Sequence, residues 1–152
     1  MSRMENSGKY SGSNLSNLEK DPDMARVADY SIISDNVIQD SNVDFTVPDN
    51  IHAGSRSVLR FKIKARGLDS GDVPFGSFDG MSTRVLLNGS VVWTWNWTNS
   101  ENPTRVFQEV VPAGIVKPGD NRFEVKVKFN DPDGGLSIIS ISDAVLWWQA
   151  EI

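Results

Sequence analysis

The sequence predicts an all-β domain, an antiparallel β-sandwich, and three observations carry that prediction. Short apolar runs alternate with polar residues at a period of two, turn-forming residues separate the runs at fairly even spacing, and beyond the first 25 residues no sustained 3.6-residue apolar stripe occurs. One-sided strands need a second sheet to cover them. The connections are too short and too polar for helical crossovers, so two antiparallel sheets packed face to face follow.

The chain of 152 residues is long enough for one domain with a substantial core and too short for two ordinary ones. Residues 1–25 are rich in Ser, Asn, Gly and charge and have almost nothing to bury, so they read as a disordered tail. Residues 26–152 read as the sandwich domain. Its runs, in order, are SIIS (31–34), NVDFTV (42–47), SVLRFKIKA (57–65), TRVLLNG (83–89), SVVWTWNWT (90–98), TRVFQEVV (104–111), NRFEVKVKF (121–129) and the long C-terminal stretch 136–152.

Two runs alternate cleanly. Leu59, Phe61, Ile63 and Ala65 oppose Arg60, Lys62 and Lys64, while Phe123, Val125, Val127 and Phe129 oppose Arg122, Glu124, Lys126 and Lys128. Each is a strand with one dry and one wet face. The connections PDN (48–50), LDSGDVPFGSFDG (68–80), NSENP (99–103), KPGDN (117–121) and DPDGG (131–135) supply the turn chemistry.

Composition narrows the function. A net charge of -5 disfavours general binding to nucleic acid. The absence of cysteine rules out disulfides, thiol nucleophiles and thiolate zinc sites. No apolar run approaches the roughly 20 residues of a membrane span, so no membrane insertion is expected. The N-terminus lacks the apolar centre of a signal peptide, and the compartment stays open. No nucleophile elbow, Walker loop, H-E-x-x-H or dinucleotide-binding glycine pattern occurs, so the expectation is a protein that is not an enzyme. His52, the single histidine, is expected at the surface without a catalytic role.

One set of motifs resembles a known family. Val85–Gly89 reads V-x-x-N-G, Val116–Asn121 ends a loop in K-P-G-x-N before an alternating strand, and Ile141–Leu146 opens a C-terminal strand with I-x-D-x-V. In this order they resemble the galactose-binding-domain-like jelly rolls, found as sugar-binding modules of glycoside hydrolases and as free carbohydrate-binding modules. The resemblance covers residues 55–152. It implies a jelly roll, carbohydrate as partner and, in many members, a structural calcium. The same roll also serves as a structural, assembly or protein-interaction subunit, so a homo-oligomer is the alternative expectation.

The aromatic residues supply the site candidates. In VVWTWNWT, Trp93, Trp95 and Trp97 share a strand face with Val91, either as a platform for sugar rings or as core. Core suits Trp93, while Trp97, nearest the loop, is the stacking candidate, with Asn96 beside it to bond hydroxyls. Trp147 and Trp148 must point to opposite faces. Leu146, Trp148, Ala150 and Ile152 form the drier set; Val145, Trp147, Gln149 and Glu151 form the wetter one. Trp147 is therefore expected on an outward face, with Gln149 to orient hydroxyls.

Arg60 and Lys62 would serve an acidic ligand, and they would form one basic face with Lys64, Arg122, Lys126 and Lys128 if the two strands were neighbours. Two loops concentrate carboxylates suited to calcium, Asp69, Asp72 and Asp79 in one and Asp131 and Asp133 in the other.

Overall fold

A computed structural model describes residues 26–38, 40–68, 81–98, 104–128 and 136–152. Eight strands are formed: β1 (Arg26–Ile38), β2 (Ser41–Val47), β3 (Ser57–Leu68), β4 (Ser82–Leu87), β5 (Ser90–Asn96), β6 (Thr104–Val111), β7 (Gly119–Lys128) and β8 (Leu136–Glu151). Each run read from the sequence corresponds to one of them, with Asn88, Gly89, Trp97, Thr98 and Ile152 lying past the strand ends. The proposed tail falls outside the described residues, as do Phe129 and the five loop aspartates expected to hold calcium.

The strands form two four-stranded antiparallel sheets, sheet A in the order β1-β8-β3-β6 and sheet B in the order β2-β7-β4-β5. Within each sheet, β1 pairs with β8, β3 with β6, β2 with β7 and β4 with β5. Each strand thus finds the one equally far from the other end of the series. A long antiparallel ribbon rolled up on itself gives that order, and it is the jelly roll the motifs implied. Among the described strands only β4 and β5 are consecutive neighbours. Asn88 and Gly89 join them with φ of 51° and 84°, the two positive values a two-residue type I′ hairpin needs.

The core lies between the inner faces. Leu59, Phe61, Ile63 and Ala65 of β3 and Ile139, Ile141, Leu146, Trp148 and Ala150 of β8 meet Phe45 and Val47 of β2, Phe123 and Val125 of β7, and Val85, Leu87 and Trp93 of sheet B. Alternation drives this sorting: in β3 the residues with even numbers from Arg60 to Lys64 are exposed while their odd neighbours are buried.

Three irregularities redirect side chains. A bulge at Val92 breaks the β4–β5 register between Val85–Trp93 and Leu86–Val91. Val91 therefore leaves the face of the tryptophans, and it is half exposed. A second bulge offsets β1 at Ile33, and a third lies in β8, where Asp143 adopts φ of 54° between the pairs Arg60–Val145 and Lys62–Ser142. Ile152, expected with the dry set, lies past the end of β8 and is exposed.

Candidate functional site

The two outer faces of the sandwich differ in chemistry. On sheet B the outward residues are mostly polar and charged, with Val91 beside Leu86 as the apolar exception: Asp44 lies opposite Arg122, Arg84 opposite Lys126, and Ser82 opposite both Lys128 and Asn96. Arg122 Nε donates to Asp44 Oδ1 at 3.0 Å, and this hydrogen bond, followed by the charge of Asp44, raises the guanidinium pKa above its ordinary value. Such a face is well solvated.

On sheet A the register brings apolar and aromatic residues into rows. Tyr30, Trp147, Val58 and Val110 are successive partners across β1, β8, β3 and β6. The next row is Ile32, Val145, Arg60 and Gln108. Tyr30 (58%), Ile32 (63%), Val106 (53%) and Val110 (55%) all keep more than half of their surface open. Trp147, Val145 and Val58 are partly covered between them. A contiguous apolar face with an aromatic centre is unlike an ordinary solvated sheet, and it makes this surface the candidate site.

Polar groups frame the row. Gln149 lies two residues beyond Trp147 on the same face and is exposed; its carbonyl accepts His52 N at 2.8 Å. The segment after β2 is held there by Asn50 Nδ2 donating to Glu151 O at 2.9 Å and by Glu151 N donating to Asn50 O at 2.7 Å. His52 Nδ1 stands 3.6 Å from Glu151 Oε2. On the other side, Arg60, Lys62, Val106 and Asp143 line a depression of about 240 Å³ beside the β8 bulge.

The sequence-derived candidates therefore divide. Trp147, Gln149, Arg60 and Lys62 come together on the outer face of sheet A. Asn96 is exposed on the outer face of sheet B, the opposite side of the sandwich. Trp97 is 1% exposed, and its Nε1 donates to Thr83 Oγ1 at 2.9 Å inside the core, so it offers no ring face to a ligand. Trp93 is likewise buried against Phe61, with ring centroids 5.1 Å apart. Trp95 is partly covered by Phe107 and by Arg105, whose guanidinium stands 4.6 Å from its ring centroid. The three tryptophans thus belong to the interior and its β5–β6 margin.

The conditional basic face is not formed. β3 lies in sheet A and β7 in sheet B, so their outward lysines and arginines point away from one another. Tyr30 was missed by the sequence reading. Its alternation with Ile32 was available, but its pairing with Trp147 depends on β1 lying beside β8. Among the described residues no group of three or more His, Cys, Asp or Glu side chains is arranged to hold a metal, and no helix is long and apolar enough to cross a membrane.

No family model matches the chain, and no curated protein matches its sequence. Among solved structures it is similar to dimeric latent PorU from Porphyromonas gingivalis, with a TM-score of 0.55 and 10% identity over 84% of this chain and 13% of that one. N-glycanase F gives a TM-score of 0.49 and 12% identity over 82% of this chain and 52% of that one. The CBM36-1 domain of a xylanase from the hindgut metagenome of Trinervitermes trinervoides gives 0.40 and 12% over 84% and 99%. This chain thus spans well under two thirds of the first two. The likeness to PorU shows the sandwich fold and nothing further.

Proposed function

We propose that this domain is a non-catalytic carbohydrate-binding module whose ligand lies across the outer face of sheet A. The observation that carries the reading is the cross-strand pair Tyr30–Trp147, which is set in an open apolar face and bordered by Gln149 on one side and Arg60 on the other. Sugar rings present apolar C–H faces, and aromatic rings cover them at a gain of about 25 cal/mol per Å² removed from water. Gln149 and Arg60 then orient hydroxyls and select among rings of similar shape.

Calcium belongs to the same proposal, with Asp69, Asp72, Asp79, Asp131 and Asp133 as its carboxylates. The test is a glycan array with labelled protein, run with calcium and with chelator, and repeated for Tyr30→Ala and Trp147→Ala. A family of hits that is lost in both variants supports the reading. Hits retained by both variants place binding elsewhere, and hits unaffected by chelator remove calcium.

A second reading has its own support. Ile32, Val106 and Val110 are exposed aliphatic residues, which suit a protein surface better than a sugar. In that case the face is an assembly or protein-interaction surface, and Val110→Lys would convert an oligomer to a monomer in light scattering. A wild-type protein that is already monomeric at high concentration would count against it.

A further inference from the structure

The column of residues along β3 suggests which class of glycan this face selects. Arg60, Lys62 and Lys64 project outward at alternate positions, spaced ~7 Å apart by strand geometry. Arg60 follows the row of Trp147 and Val58 by one such step. A ring stacked on Trp147 thus brings a substituent on its edge to Arg60, and the next ring along β3 reaches Lys62. Among the described residues none of these three cations is engaged in an ion pair or hydrogen bond, in contrast to Arg122 on the opposite face, which is held by Asp44.

The β8 bulge makes room for such a substituent. Where Asp143 and Ala144 together face the single residue Phe61, the strand bends, and the depression lined by Arg60, Lys62, Val106 and Asp143 opens at that point. Asp143 is exposed at its rim and is the only carboxylate lining it. Three cations against Asp143 and the exposed Asp35 across from it on β1 leave the column positive, in a chain whose net charge is -5. A neutral ligand would make no use of that local reversal of sign.

Resting on the carbohydrate reading, we infer that the ligand is an acidic glycan whose carboxylate or sulfate groups are held by Arg60 and Lys62 in the depression beside the Asp143 bulge. Arg60 supplies the planar fork that takes a carboxylate or sulfate through two bonds, and Lys62 adds a point charge one repeat further on. Asp143 accepts hydroxyls there and limits the density of negative charge the site tolerates.

The test uses matched probe pairs that differ only in charge: polygalacturonate and its methyl ester, chondroitin and chondroitin sulfate, dextran and dextran sulfate, with duplex DNA as an unrelated polyanion. Affinity electrophoresis or titration at low salt should show the charged member bound about tenfold or more tighter in the pairs that bind, the gap closing as salt rises. The double variant Arg60→Gln/Lys62→Gln should abolish the gap between the charged and neutral members of each pair. Arg84→Gln/Lys126→Gln, which removes the same charge from the opposite sheet, should preserve it, and Asp143→Asn should widen it.

Equal binding of charged and neutral members overturns the acidic inference while the carbohydrate reading stands. Loss of the gap in both double variants, or tighter binding of DNA than of any charged glycan, also overturns it, because the attraction would then be general. A blank for every probe removes the carbohydrate reading and this inference together.

Discussion

Asn88 Nδ2 donates to Asn121 Oδ1 at 2.7 Å, tying the β4–β5 hairpin to the loop that opens β7. The bond joins two motifs that are far apart in sequence and individually commonplace. Asn88 also donates to Ile115 O at 2.8 Å and accepts Arg122 N at 2.8 Å. Asn121 donates to Lys117 O at 2.7 Å and to Gly119 O at 3.0 Å, and its Oδ1 accepts Lys117 N at 2.9 Å as well. The side chain of Asn121 is buried, and this set of bonds replaces the water it has lost.

Asn121→Ala should therefore be among the most damaging substitutions outside the apolar core. It leaves loop carbonyls and an amide without partners, at a cost of about 2–4 kcal/mol. At Asn88 the backbone adds a second effect, since φ is 51°. Asn88→Gly loses the side-chain bonds alone, whereas Asn88→Ala adds strain in the left-handed region of about 1 kcal/mol. Urea denaturation of the three variants should rank Asn88→Gly above Asn88→Ala in stability; the reverse order would contradict the geometry.

The buried pair Trp97–Thr83 gives a coupling that can be measured. Thr83→Val removes the acceptor of Trp97 Nε1, and Trp97→Phe removes the donor together with part of the ring. Each should cost about 1–3 kcal/mol, and the double variant should be less damaged than the sum by about 1 kcal/mol. Strict additivity in a double-mutant cycle would mean that the bond contributes nothing.

The eight strands were legible because alternation is a local property: Leu59, Phe61 and Ile63 announce a dry face whichever strands lie beside them. Neighbours are not local. Arg60 and Arg122 carry the same pattern, yet β3 and β7 lie in different sheets, so the joint basic face could not form. The same limit hid Tyr30, whose place in the proposed platform depends on facing Trp147. Closeness to a loop does not expose Trp97, because Thr83, on the inner face of a central strand, accepts its Nε1 in the core. Asn88 and Asn121 were legible as turn residues, but their mutual bond was not.

At the margin between β5 and β6, Arg105 stands over Trp95 at 4.6 Å and over Phe107 at 5.0 Å. The cation covers aromatic surface where the two sheets part. Arg105→Ala should lower stability by about 0.5–2 kcal/mol and shift Trp95 emission toward the red as water reaches the ring. Arg105→Lys should recover only part of the loss, since an ammonium stacks less well than a guanidinium. Unchanged emission in the alanine variant would show that Arg105 does not shield the ring.

Tyr30 and Trp147 separate binding from folding. Tyr30 is 58% exposed on an edge strand, so Tyr30→Ala should cost less than about 1 kcal/mol of stability. Trp147 is partly covered by its neighbours on β1 and β3, and Trp147→Ala should destabilise more, by about 1–3 kcal/mol. If the pair is a ligand platform, both variants should lower glycan affinity about 10- to 100-fold, in the inverse of the stability ranking or independently of it. Trp97→Phe supplies the contrast: it should weaken the fold while leaving affinity unchanged at temperatures where the protein remains folded. Calorimetric titration beside urea denaturation would distinguish these patterns. A Tyr30→Ala protein that binds as wild type would exclude Tyr30 from the platform, whereas affinity losses that track stability across all three variants would mean that no specific face had been identified.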